Sequence, residues 1–256
     1  MLGAIAGDVI GSVHEGLGTR TAQFPRFAEG IRFSDDTVLT VAVAHKLLRG
    51  GDYIDLFHDY FHAYPQAGFG MGFTLWAGYR RREPYNSLGN GSAMRVSPVG
   101  FAAATLDEAL ANARESAEVT HNHPEGVRGA QATAAAVFLA RTGHSKREIR
   151  MRIASDFGYD LSARLDEIRD RDSLDATCAG SVPQSIIAFL ESEDFEGAVR
   201  NAVSLGGDAD TMATIAGGVA EAFYGGVPAP IQARVLDVLD APLREIVLEF
   251  RERFMR

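Results

Sequence analysis

Four aspartates stand in two short motifs far apart in the chain, Ser34-Asp35-Asp36 and Asp208-x-Asp210-Thr211. Each motif directly precedes a run of apolar and small residues at helical spacing. The free amides and dipole of a helix N-terminus favour a carboxylate, so one Asp of each motif reads as a cap. The second needs another partner, because like charges packed together raise one another's pKa unless a cation or donor compensates them. Hard divalent cations take oxygen ligands, and carboxylates joined by the hydroxyls of Ser34, Thr37 or Thr211 suit magnesium or manganese. Zinc is less favoured, since the chain has no cysteine cluster and no HExxH sequence, although His121 and His123 stand close together. Spacing alone leaves two readings open: a cation site, or helix caps with polar core contacts.

Other residues could join such a site. Asp8 and Glu15 lie seven positions apart, so they face one pocket if a first helix continues through Gly11. A carboxylate beside a metal-bound water can accept its proton, whereas Glu15 taken alone reads first as an exposed surface acid. His121 and His123 precede Pro124 at a helix start, where an imidazole can contact a phosphate or ribose or simply cap the helix. Two glycine clusters, Gly68-Phe69-Gly70-Met71-Gly72 and Gly89-Asn90-Gly91-Ser92, permit close backbone approach to a ligand or make tight turns. Neither matches a phosphate-loop or dinucleotide fingerprint. Trp76, Tyr79 and Tyr85 among Arg80, Arg81 and Arg82 read as a ligand rim or as a solvated helix face.

The elements that position these residues read as helices throughout, with few alternating strand-like runs. Helical segments are expected over 36–48 and 52–64, over 107–119 with Asp107 as cap, and after Pro124 in a run of small side chains suited to close packing. More follow at 145–155, from Pro183 through Leu190, and from Phe195 to Val203. A glycine-containing core helix then runs to Gly225-Gly226, and one or two helices end the chain. The charged stretch between Tyr159 and Asp175 reads as one exposed helix and a turn.

The 256 residues, 46 % apolar and 23 % charged, fit one large domain spanning 1–256 with a substantial core. A formal charge of −9 argues against a broad non-specific nucleic-acid surface while allowing a local phosphate pocket. Cys178 is the only cysteine, which excludes an intramolecular disulfide and fits a reducing compartment. The apolar opening carries Asp8 and no basic region, unlike a signal peptide, and no span reaches membrane length without a charge. A cytoplasmic, monomeric protein without membrane contact is the expectation.

Five segments in order, GDVIGSVHEG, FSDDT, GNGSAMRVSPVG, THNHPEG and GGDADT, resemble the ADP-ribosylglycohydrolase family, also described as the dinitrogenase-reductase-activating glycohydrolase family. The resemblance spans most of the chain. It implies an all-α, compact orthogonal helical bundle with a central cleft and a binuclear magnesium or manganese site. Carried over, Ser34, Asp35, Asp36, Asp208, Asp210 and Thr211 become metal ligands, with Ser34 where relatives often have Thr. Glu15 matches the acid at the cleft gate that handles water, and Asp35 and Asp210 join it as catalytic candidates. Gly89, Asn90, Gly91, Ser92 and Met94 match the loop that holds the distal ADP-ribose and pyrophosphate. Gly68, Gly70 and Gly72 match the loop beside the distal ribose, with His123 on the same side.

The implied reaction is metal-dependent hydrolysis at C1″ of the distal ribose, through a glycosidic or ester bond, with release of ADP-ribose from a protein, nucleic acid or small molecule. Several relatives acting on modified arginine carry an acid in the loop matching residues 66–72, where this chain has none. Serine-linked protein, modified nucleic-acid ends and O-acetyl-ADP-ribose therefore stay open as acceptors. The alternatives are a metal-dependent phosphohydrolase of a nucleotide-like substrate and a non-catalytic ADP-ribose-binding protein.

Overall fold

Side-chain caps start many of the helices: Ser34, Asp52, Thr105, His123, Ser145, Thr177, Asp194 and Asp240 each accept a backbone N–H from the turn they open. A computed structural model describes residues 1–16, 19–169 and 175–255. Among them the helices are α1 (Leu2–Gly11), α2 (Asp35–Arg49), α3 (Tyr53–Ala63), α4 (Met71–Gly78), α5 (Gly91–Met94), α6 (Ser97–Ala102), α7 (Leu106–Glu118) and α8 (Pro124–Arg141). They continue as α9 (Lys146–Phe157), α10 (Leu165–Arg169), α11 (Cys178–Leu190), α12 (Phe195–Val203), α13 (Ala209–Tyr224), α14 (Ala229–Val238) and α15 (Ala241–Phe254). An isolated bridge between Gly89 and Thr177 is the only strand-like pairing among the described residues, so the fold is an all-α, compact helical bundle.

Several boundaries differ from the sequence reading, each for a local reason. The helix expected to begin at Pro183 begins at Cys178, because Thr177 Oγ1 accepts the Gly180 N–H and nucleates it earlier. Pro183 then lies inside the helix, where it removes the donor that the Ala179 carbonyl would otherwise take. Thr105 rather than Asp107 caps α7, leaving Asp107 in the first turn, where its charge still suits the dipole. The first helix stops at Gly11, so Asp8 and Glu15 share no helical face. Of the charged stretch before Asp175, Leu165–Arg169 is helical, while residues 170–174 lie outside the described residues.

α1 and α13 cross closely and antiparallel through a glycine seam. A Cβ on Gly3 would sit 2.4 Å from the Gly217 carbonyl oxygen, one on Gly7 2.0 Å from that of Ala213, and one on Gly11 2.5 Å from Asp210 Cα. Glycine every fourth residue thus clears one face of α1 for direct backbone contact. α1, all ten of whose residues are buried, packs also on α2, α12 and α14, and the seam brings its C-terminal end against the start of α13.

Two apolar clusters flank the site. One gathers α1 and α11 to α15, the other α3 and α4, and both α2 and α8 contribute to each: Val41 and Ala44 to the first, Leu39, Ala42 and Val43 to the second. α2 is thereby held on two sides, with its N-terminus aimed where α1 ends and α13 begins. No helix among the described residues is long and apolar enough to cross a membrane.

Gly7→Ala is expected to destabilise the protein by about 2–3 kcal/mol, since neither backbone can recede without repacking the core. Gly78→Ala, whose Cβ meets only Phe61 at 3.9 Å, is expected to be neutral or slightly stabilising. Urea unfolding of the two variants checks both.

Candidate metal centre

The front acidic motif is built by a buried carboxylate from another helix. Asp8 on α1 is fully buried, and its Oδ2 accepts the Ser34 N–H at 2.9 Å, the Thr37 N–H at 3.1 Å and the Thr37 hydroxyl. These donors fasten the start of α2 to α1. Ser34 then caps α2, its Oγ accepting the Asp36 N–H at 3.2 Å while lying 3.3 Å from Asp36 Oδ2, to which it donates.

The back motif depends on a turn that side chains resist. Gly206 and Gly207 both adopt positive φ, 73° and 68°, bending the chain out of α12 and into α13. The Gly207 carbonyl accepts the Gly16 N–H, tying the turn that carries Glu15 to this bend. Asp208 occupies the N-cap position without capping through its side chain, and its Oδ2 accepts from Asn90 Nδ2 at 2.7 Å. Thr211 Oγ1 donates to Asp36 Oδ2 at 3.1 Å, so the two motifs, 175 positions apart, touch directly.

Glu15, Asp208 and Asp210 each place a carboxylate oxygen within 4.8 Å of the other two. Burial is the first cause that raises Asp35 to about 8 and Asp210 to about 9, with surrounding carboxylates adding to both. Asp36 is raised well above the ordinary range by burial and then by Asp210 and Asp8. Among the described residues no Lys or Arg ion-pairs with any of these groups. The buried Oδ1 atoms of Asp8 and Asp36 accept no hydrogen bond. Crowded carboxylates, nearby hydroxyls and orphaned buried oxygens together fit a hard divalent cation.

The acids open onto a cavity of about 350 Å³. It is lined by every expected metal ligand, by Glu15, and by Gly68, Gly70, Gly72, Gly89, Asn90, Gly91 and Met94. Asn90 joins the glycine loop to the acidic end, because its Nδ2 donates to both Ser181 Oγ and Asp208 Oδ2. Gly72 lets the Tyr85 ring approach, since a Cβ there would lie 3.0 Å from it.

Two expected binding residues lie elsewhere. Ser92 is buried behind the loop, with its hydroxyl donated to the Gly126 carbonyl at 2.7 Å. His123 caps α8 by accepting the Glu125 N–H, and His121 lines the cavity instead. Its Nε2 would be 3.1 Å from a Cβ on Gly91, so the loop and the imidazole require each other's shape. Burial and then Arg95 push the His121 pKa well below the ordinary range, keeping it neutral. Local bonds decide between the two histidines: His123 is held on the cap by the Glu125 N–H, and His121 is held facing the cleft with its Nδ1 on Thr120 Oγ1 at 2.7 Å.

Asp8, which the motif reading left out of the ligand set, is the residue that anchors the front motif. The sequence marked it only as a charge inside the apolar run of α1, within the GDVIGSVHEG segment and paired by spacing with Glu15. Of the possible aromatic and basic rim, Tyr85 alone lines the cavity; Trp76 is buried, Tyr79 is exposed, and Arg80 and Arg82 pair outward with Asp59, Asp52 and Asp55.

The ADP-ribosylglycohydrolase family profile matches residues 1–255, and this chain belongs to that family. An ADP-ribosylhydrolase ARH3 from Bos taurus is 28% identical over 305 residues, covering 88% of this chain and 84% of that protein. An ADP-ribosylarginine hydrolase Tri1 from Pseudomonas putida is 29% identical over 154 residues, covering 58% of this chain and 42% of that protein. A solved structure described as an ADP-ribosylglycohydrolase-related protein complex matches with a TM-score of 0.74 at 26% identity, covering 99% of this chain and 96% of that one.

Because Asp35 and Asp210 are raised from 3.8 to about 8 and about 9, the folded, chelator-treated protein binds more protons than the unfolded chain. Their contribution to stability is full below about pH 4 and is lost as the pH rises through 8 to 9. Thermal melts in chelator should therefore show Tm falling from pH 6 to pH 9, and saturating Mg2+ or Mn2+ should flatten that fall. A Tm that rises with pH in chelator contradicts the electrostatic account.

Proposed function

We propose that this chain hydrolyses the C1″ glycosidic or ester bond of ADP-ribosylated substrates and releases ADP-ribose, with two Mg2+ or Mn2+ ions held by Ser34, Asp35, Asp36, Asp208, Asp210 and Thr211. The observation that carries the reading is the junction of the two acidic motifs at Thr211 and Asp36, beside the Glu15, Asp208 and Asp210 cluster on one cavity wall. Family membership and relatives named as ADP-ribosylhydrolases support the same substrate class. When bound, the ions would bring the vicinal ribose hydroxyls into register and supply positive charge near the reacting carbon.

The chain's own groups divide the remaining work. Glu15 lies exposed on the turn after α1, at the open edge of the acidic cluster, where its carboxylate can take the proton of an attacking water. In the 89–91 loop the Gly89 N–H goes to Ser87 Oγ and the Asn90 N–H to the Ala176 carbonyl, so Gly91 offers its backbone to the pyrophosphate, which suits an anionic ligand on a chain of formal charge −9. Gly68, Gly70 and Gly72 form the wall beside the distal ribose, next to Asp35: a Cβ on Gly68 would lie 3.7 Å from Asp35 Oδ1. Neutral His121 and the Tyr85 ring, with centroids 5.9 Å apart, form an aromatic part of the cavity wall.

A panel of arginine-linked, serine-linked and nucleic-acid-linked ADP-ribose and O-acetyl-ADP-ribose, assayed with Mg2+ and Mn2+, tests the reading. Intact ADP-ribose is the expected product. AMP or free phosphate would instead identify a phosphohydrolase, and tight ADP-ribose binding without turnover a binding protein. Asp35→Asn or Asp210→Asn should lower kcat/KM by about 100-fold or more and abolish the metal-dependent rise in Tm. Glu15→Gln should lower kcat by about 100-fold while leaving the Kd for ADP-ribose within about twofold. Unchanged turnover in that variant would reject Glu15 as the base.

A further inference from the structure

A second hollow adjoins the cavity on its acidic side. It is an open groove of about 610 Å³, walled by the segment before α2, the loop between α3 and α4, and the end of α14. Arg32, Gln66 and Ala67 line both hollows, so they form the ridge between them. That ridge adjoins the acids directly, because the Ala67 carbonyl accepts the Asp35 N–H at 2.8 Å.

The groove wall is apolar with charge at its edges. Ile31, Phe33, Tyr64 and Pro65 supply the apolar part, with Phe33 and Tyr64 packed edge to face at 5.9 Å. Arg32 on the ridge and Arg234 on α14 are exposed and have no ion-pair partner among the described residues. On a chain of net charge −9, two guanidinium groups on one groove offset Asp237 on the same wall and leave it less acidic than the surface as a whole. They suit a carboxylate, to which guanidinium binds in a planar fork.

Resting on the function proposed above, which places the scissile bond at the acidic cluster, we propose that this groove seats the polypeptide around the modified residue of a protein substrate. It takes an acidic side chain close to that residue between Arg32 and Arg234, while apolar neighbours lie on Phe33 and Tyr64. A nucleic-acid acceptor fits less well. Asp237 also lines the groove, and Asp240 stands at its edge, accepting from the Tyr64 hydroxyl at 2.8 Å. A single carboxylate can avoid those charges, whereas a continuous phosphodiester chain would run past them.

The test compares ADP-ribosylated peptides of one linkage that differ only in Glu or Gln beside the modified residue, with O-acetyl-ADP-ribose as the peptide-free control. The wild-type protein should favour the Glu peptide by about fivefold in kcat/KM, expressed in KM and weakened by salt. Arg234→Glu should erase or invert that preference and leave turnover of O-acetyl-ADP-ribose unchanged. In parallel, fluorescence anisotropy measures binding of the unmodified Glu peptide to both proteins, and Arg234→Glu should weaken it.

Equal KM values for the two peptides, an Arg234→Glu effect of the same size on all substrates, or preference for an ADP-ribosylated oligonucleotide would each overturn the groove assignment. No hydrolysis of any substrate would instead refute the proposed activity. The anisotropy result then decides the groove by itself: Arg234-dependent binding supports it, and its absence rejects it.

Discussion

The antiparallel contact of α1 with α13 is the constraint on which the site depends. Gly3, Gly7 and Gly11 let the two backbones meet without side chains between them, and any Cβ there would overlap the partner helix. At that spacing the end of α1 and the beginning of α13 are fixed against each other. Asp8, one residue beyond Gly7, is carried to the start of α2, and Asp210 to the point where Gly11 packs. A looser crossing would still bury apolar surface, but it would not hold two acidic helix starts within hydrogen-bonding range.

From that contact the site acquires its second property, a concentration of negative charge with little internal compensation. Three hydrogen bonds offset the burial of Asp8 at one oxygen, and Thr211 and Ser34 both donate to Asp36. Asp35, Asp36 and Asp210 are nonetheless raised by burial and by the carboxylates around them. Such a cluster opposes folding unless a cation or protons neutralise it, so it is poorly suited to a purely structural role. The apolar clusters on either side of α2 provide the stability that tolerates it.

Much of this was legible before any coordinates. The two acidic motifs, their place before helices, the two glycine clusters and the all-helical character all follow from residue types and spacing, because caps, helical periodicity and oxygen-ligand chemistry are local properties. Boundaries proved less legible where a neighbouring residue made a better cap: Thr177 took the start of α11 from Pro183, and Thr105 took the start of α7 from Asp107. Arg80 to Arg82 follow the end of α4 instead of forming a helix face, because the helix stops at Gly78.

By itself the sequence determined which residues could carry the chemistry, since the cation affinity of Asp, Ser and Thr oxygens and the freedom of glycine belong to the residues. Only the tertiary structure decided which of them meet. It set His121 in the cavity and His123 on the cap, turned Ser92 away, and made Asp8 the anchor of α2. It also joined Thr211 to Asp36. These outcomes turn on the direction of a side chain at a helix end and on contacts across as many as 175 positions, and neither is encoded in local spacing.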